Sequence, residues 1–224
     1  MLRKWVCVIL CFSLLGIPVR GQSPEKYIAL TFDDGPSGRF TQALLDGLAQ
    51  RQVQATFLLC GYRLEQYGSL AKRMQEEGHE IGLHGYSHRC MSDMCLADLE
   101  REISDCMQLL PAGCRPVFLR PPGGNCNKTV PQAARDAGLA ILTWSVDPRD
   151  WAIHDVAAVE KAVIDQVQDG DVILLHDMSD SSVEAALMIV DTLQKKGFRF
   201  VTASRLAEIR GVTPQPGALY DRFS

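Results

Sequence analysis

The chain has 224 residues, enough for one large domain or two small ones, and its 46% hydrophobic content suits an ordinary globular core. A formal net charge of -4 with interspersed signs leaves no basic stripe for nucleic acid and no single-sign tract of the kind that forms interaction tails. The first residues differ in kind: Arg3 and Lys4 precede an apolar run from Trp5 to about Ile17, followed by small and turn-forming residues through Ser23. Residues 1–22 read as a secretory signal peptide, with an uncleaved anchor as the alternative, and residues 23–213 as the domain behind it. The expected location is outside the cell or in its envelope. No later stretch is long and apolar enough to span a bilayer, so no membrane contact is expected after cleavage, and a monomer is expected.

Tyr27 to Phe32 reads as a buried strand that ends at the Gly35-Pro36 break, which leaves Asp33 and Asp34 at the strand's carboxyl end. Successive strand residues point opposite ways, so the two carboxylates face different surroundings. Two such groups repel when both are ionised, unless a cation or a proton offsets the repulsion. The pair is therefore either a metal and base pair or an Asp-Gly-Pro turn with a solvated partner. The pattern then alternates. Helices are expected over 40–52, 69–77, 96–110, 130–137, 156–168, 183–196 and 204–210, and strands over 55–59, 80–83, 117–120, 140–145, 171–176 and 198–201. The tail from Pro214 to Ser224 reads as irregular. Strict alternation implies a parallel sheet, curled into a barrel or left open and doubly wound. No Gly-x-Gly-x-x-Gly follows the first strand, which removes the main support for dinucleotide binding. In either architecture the site belongs at the carboxyl ends of the strands.

Chemistry-bearing residues collect there. His84 and His88 follow the third strand at a spacing that lets two imidazoles share one ion, and neutral imidazoles with a carboxylate suit Zn²⁺, Co²⁺ or Ni²⁺. Arg120 ends the fourth strand, where it can lock a carboxylate bidentately, and the Pro121-Pro-Gly-Gly124 turn can aim a backbone N–H at a reacting oxygen. Asp147, Asp150 and Trp151 follow the fifth strand, and His176 closes the sixth. His79 reads as structural and His154 as a surface residue. Cys60, Cys90, Cys95, Cys106, Cys114 and Cys126 allow up to three disulfides in an exported protein. Cys90 and Cys95 are expected to brace the histidine loop.

The ordered set Thr31-Phe-Asp-Asp-Gly-Pro36, His84-Gly-Tyr-Ser-His88, Arg120-Pro-Pro-Gly-Gly124, Asp147-Pro-Arg-Asp-Trp151 and Leu174-Leu-His176 resembles the polysaccharide deacetylases, the NodB-homology domain of carbohydrate esterase family 4. The resemblance covers about Tyr27 to Arg210. It implies a single-domain α/β fold, a distorted (β/α) barrel of seven or eight parallel strands. It also implies a metal-dependent hydrolase that removes N-acetyl groups from N-acetylglucosamine polymers, peptidoglycan first and chitin oligomers second. Asp34, His84 and His88 would hold the divalent metal, Zn²⁺ foremost. Asp33 would be the general base, positioned by Arg120, and His176 the acid that protonates the leaving amine, positioned by Asp150. Gly123 would offer the oxyanion donor, while Trp151 and Leu174 would wall the acetyl-methyl pocket. Many relatives carry tyrosine where this chain has Gly123, so the donor is kept and a wall is lost. An O-acetyl esterase acting on xylan and a catalytically silent glycan-binding domain are the alternatives.

Overall fold

The computed structural model describes residues 25–224. The signal-peptide reading of residues 1–22, with Cys7 and Cys11, lies outside them. In chain order the elements are β1 (Lys26–Asp33), α1 (Arg39–Gln50), β2 (Thr56–Leu59), α2 (Gly61–Glu76), β3 (Glu80–Leu83), α3 (Leu96–Gln108), β4 (Phe118–Leu119), α4 (Thr129–Asp136), β5 (Ala140–Leu142), α5 (Val156–Ile164), β6 (Val172–His176), α6 (Asp180–Lys195), β7 (Phe198–Val201), α7 (Ala203–Ile209) and β8 (Leu219–Tyr220). They form one α/β domain. The sheet runs β6-β1-β2-β3-β4-β5-β8, with β7 against β1, and its ladders are parallel. Val146 bridges to Ile173 and brings the chain after β5 back to β6, so the sheet curls into a distorted barrel. Among the described residues no helix is long and apolar enough to cross a membrane.

Alternation along the strands builds two cores. Ile28, Leu30 and Phe32 of β1, with Phe57, Leu59, Ile81, Leu83, Leu119, Ile141, Ile173 and Leu175, face outward and pack against the helices. Ala29, Leu58, Phe118, Leu142 and Val172 face the barrel interior, which Leu206 and Ala207 of α7 and Phe223 help to fill. Period two therefore also decides which strand-end residues face the barrel mouth. Ala29, Thr31 and Asp33 share one parity, as do Phe118 and Arg120, Leu142 and Trp144, and Val172, Leu174 and His176. Phe32 and Phe57 stack with ring centroids 5.2 Å apart, which adds about 0.5–1.5 kcal/mol beyond simple burial.

The structure departs from the sequence reading in definite places. Helix α2 begins at Gly61 rather than near Ser69, because the Gly61 and Tyr62 N–H groups donate to the Gly85 and Tyr86 carbonyls at 3.0 Å; its local break is at Tyr67 (φ -128°). The run expected as one strand over 140–145 splits, since Thr143 N–H pairs with Tyr220 while Ser145 N–H pairs with Val172. The tail read as irregular supplies β8, paired with β5 through Ile141 and Leu219, and buries Phe223. Nor do the six cysteines form the disulfides their number allows; all are free thiols. Cys60 and Cys106 are buried core residues, and burial pushes the Cys106 thiol up to about 12. Cys90 and Cys95 do not brace the histidine loop by a bond, because their sulfurs contact Ser92 and Asp98 instead, each at 3.1 Å.

Candidate active site and metal centre

Asp33 ends β1 pointing into the barrel and is almost fully buried. Its Oδ1 accepts a hydrogen bond from Arg120 Nη1 at 2.6 Å. The same nitrogen donates to Thr31 Oγ1 at 2.9 Å, and Thr31 in turn donates to the Ile173 carbonyl at 2.7 Å. The other Arg120 nitrogens are spent on backbone: Nε on Leu142 O at 2.9 Å and Nη2 on Thr143 O at 2.7 Å. Arg120 therefore holds Asp33 with one arm, not bidentately, and is itself fixed by the strands around it. Such a completely buried cation is tolerable because each of its three nitrogens has a partner.

Asp34 is the next residue but adopts a left-handed backbone (φ 73°), a conformation that costs roughly 1–3 kcal/mol in a non-glycine residue and collects at functional sites. The twist turns its carboxylate away from Asp33 and towards the histidines. Asp34 Oδ1 lies 2.9 Å from His88 Nε2 and 3.3 Å from His84 Nε2, yet neither approach is aligned as a hydrogen bond, and this oxygen is buried without one. Burial alone would raise the Asp34 carboxyl, but the two imidazoles beside it hold it below the usual carboxylate range. One ligand atom from each of Asp34, His84 and His88 lies within 4.8 Å of the others. A carboxylate oxygen and two imidazole nitrogens converging on one point, with an orphaned anion among them, fit a divalent cation with an open position.

The two histidines are oriented differently. His84 is buried, and its Nδ1 sits 2.7 Å from the Arg120 carbonyl. That contact fixes Nδ1 as the protonated nitrogen and leaves the Nε2 lone pair for a cation. His88 is half exposed and left-handed (φ 58°), held by its loop. The loop turns at Gly85 (φ 81°), where a Cβ would meet Met91 at 2.7 Å and Glu102 Oε2 at 3.2 Å. Gly35 is constrained in a similar way, since a Cβ there would lie 2.6 Å from Asp177 Oδ1. Asp177 is fully buried and accepts from Thr41, and burial pushes its carboxyl up to about 6.

His176 ends β6 with the opposite tuning. Asp150 receives both the His176 backbone N–H on Oδ2 (2.9 Å) and the imidazole Nδ1 on Oδ1 (2.8 Å). Burial alone would lower this imidazole, but the hydrogen bond and charge of Asp150, reinforced by Asp33 and Asp34, raise it to about 9. Asp33, Asp34, His84, His88, Gly123, Trp151, Leu174 and His176 line a single cleft of about 380 Å³, with Arg120 behind Asp33 and Asp150 behind His176. The structure thus brings every expected site residue together. It adds Trp144 and Asp147 to the walls. Parity with Leu142 was the sequence signal that turned Trp144 inward; its ring also lies 5.6 Å from the Arg120 guanidinium. Trp151 stands at the rim, 56% exposed, with the Arg149 guanidinium 5.3 Å from its ring. Gly123 is in the left-handed region (φ 67°) inside the short turn Pro122–Gly124. His79 is structural, as expected: its Nδ1 accepts from Ala55 N–H at 3.1 Å, and burial lowers it to about 4.

The family model for polysaccharide deacetylase matches residues 20–142. A peptidoglycan-N-acetylglucosamine deacetylase of Bacillus cereus is 39% identical over 188 residues, spanning 81% of this chain and 88% of that protein. A chitooligosaccharide deacetylase of Sinorhizobium fredii is 34% identical over 192 residues, spanning 79% and 88%. Among solved structures, a family 4 acetyl xylan esterase from Clostridium thermocellum in complex with a cobalt ion superposes with a TM-score of 0.82 at 33% identity, covering 88% of this chain and 98% of that one. With its motifs in order at the barrel mouth and relatives matched over most of its length, the chain belongs to the polysaccharide deacetylase family.

Proposed function

We propose that the cleft hydrolyses the acetamido group of N-acetylglucosamine residues in a glycan, peptidoglycan first and chitin oligomers second, giving acetate and a free amine. The observation that carries this reading is the pairing, in one cleft, of three residues that could hold a cation beside a buried carboxylate with an imidazole whose Nδ1 meets the Asp150 carboxylate at 2.8 Å. An amide nitrogen must gain a proton as it departs, whereas an ester oxygen needs far less help. The His176–Asp150 pair therefore favours the amide over the xylan ester.

Asp34, His84 and His88 would hold the cation, Zn²⁺ by preference. When bound, such an ion polarises the acetyl carbonyl and lowers the pKa of its water to roughly 7. Asp33, aimed by Arg120 and Thr31, takes a proton from the attacking water. The Gly123 N–H serves the developing oxyanion, and Leu174 and Trp151 enclose the methyl group. His176 passes its Nε2 proton to the nitrogen as the C–N bond breaks, while Asp150 holds the ring. A glycan of the cell envelope matches an exported protein with the signal peptide expected over residues 1–22.

The test is acetate release by metal-stripped protein resupplied with Zn²⁺ or Co²⁺, on peptidoglycan, chitin oligomers and acetylated xylan, with Asp33→Asn alongside. Metal-dependent release from an amide substrate that the variant lacks is the expected result, and the better amide substrate names the glycan. Release from xylan alone would replace this reading with the esterase. No release from any, with metal retained, would leave a glycan-binding domain.

A further inference from the structure

The two histidines of the cation site are supported unequally. His84 has a polar partner on the ring nitrogen that faces away from Asp34, the Arg120 carbonyl. His88 has none among the described residues, and its side chain is 43% exposed. A metal-ligating histidine is ordinarily oriented by a group on its other nitrogen, and loss of that group typically weakens metal binding about 10- to 100-fold. The direction of His88 must therefore come from its backbone, which is in the left-handed region and so depends on the preceding loop.

The amides of that loop are held by one carboxylate. Glu102, on α3, accepts from Tyr86 N–H and Ser87 N–H on Oε2, both at 2.8 Å, and from Ser87 Oγ on Oε1 at 2.6 Å. On the loop's other side the Gly61 and Tyr62 N–H groups at the start of α2 donate to the Gly85 and Tyr86 carbonyls. Tyr86 Oη donates to Glu65 at 2.7 Å. The carbonyls are thus pinned by one helix and the amides by the other. Glycine at position 85 leaves room at this turn, where a Cβ would meet Met91 at 2.7 Å and crowd Glu102 Oε2 at 3.2 Å. Hydrogen bonds to an ionised acceptor are about twice as strong as neutral ones, so three on one carboxylate make a stiff clamp.

We infer that Glu102 is the positioning residue for the cation site: by clamping residues 85–87 it aims His88 at Asp34, the part that the Arg120 carbonyl plays for His84. This rests on the reading of Asp34, His84 and His88 as ligands, and the experiment separates the two. Co²⁺ and Zn²⁺ affinities of the whole chain are measured by titration, together with the visible Co²⁺ absorption spectrum, for the wild type, Glu102→Ala, Glu102→Gln and Ser87→Ala. The wild type is expected to bind Co²⁺. Glu102→Ala is expected to bind both ions 10- to 100-fold more weakly with an altered Co²⁺ spectrum, as the loss of an orienting group predicts. Glu102→Gln, which keeps an acceptor but not the charge, should fall between, and Ser87→Ala should lose least. If Glu102→Ala does not fold, the Gln and Ser87 variants decide by the same order. Wild-type affinity and spectrum in a folded Glu102→Ala, or in Glu102→Gln should the alanine variant not fold, would overturn the positioning role while leaving the site intact. A wild type that binds neither ion would overturn the ligand reading and the inference with it.

Discussion

His84, just after β3, and His176, at the end of β6, both sit inside the barrel mouth and each presents Nδ1 to a fixed oxygen, yet the two ends of the cleft have opposite chemistry. The oxygen beside His84 is a backbone carbonyl, which orders the tautomer without adding a full charge, so Nε2 keeps a lone pair for a cation. The oxygen beside His176 belongs to a buried carboxylate, which stabilises the imidazolium and raises it to about 9, so Nε2 carries a proton to give. On the roles proposed above, one residue type serves as a ligand or as an acid according to what sits behind it. Asp33 and Asp34 repeat the lesson: an arginine stands behind the first and two imidazoles before the second, so adjacent carboxylates meet the opposite surroundings that the proposed roles of base and ligand need.

The strongest way to break this division is at the carboxylates. Asp33→Asn should lower turnover about a hundredfold or more with metal content unchanged, as expected for loss of a general base; metal analysis beside steady-state kinetics checks both halves. Weakened metal binding in that variant would mean that the two aspartates exchange roles. Arg120→Met attacks the support instead. It leaves the Asp33 carboxylate buried without its cation, which should cost about 3–5 kcal/mol, read from urea unfolding of the metal-free protein.

Asp150→Asn tests the other end. The imidazole of His176 is raised in the folded protein above its unfolded value of 6.5, so its contribution to stability is complete below pH 6.5 and is lost as pH rises through about 9. The shift corresponds to roughly 3 kcal/mol. In Asp150→Asn that dependence should largely disappear, and the alkaline limb of the pH–turnover profile should move down by a unit or more. Unfolding curves across pH 6 to 10 and a pH–rate series check the two effects. The smallest effect is expected at the rim, where Trp151→Ala should raise KM for glycan oligomers about two- to tenfold with little change in turnover, as loss of one exposed aromatic contact predicts.

Strand periodicity made much of this site legible from the chain. Period two assigns Asp33, Arg120, Leu174 and His176 to one face of their strands, and the rule that parallel sheets place their sites at strand carboxyl ends then gathers them at one mouth. What lies off that face was not legible. Glu102 sits among the polar residues of an amphipathic helix and gives no local sign that its carboxylate clamps the loop before His88. Trp144 was legible only through its parity with Leu142, and Asp147 through its motif.

By itself, then, the amino-acid order determined the alternation of strands and helices, the strand ends where the site lies and the type of chemistry, because those follow from local period and from the chemical character of single side chains. Tertiary structure alone decided how Arg120 divides its donors, which oxygen stands behind each histidine, and that Leu219–Tyr220 becomes a strand and Phe223 a plug. It also decided that the six cysteines remain thiols. These depend on groups distant in sequence meeting at fixed distances, and no local pattern encodes such meetings until the barrel has closed.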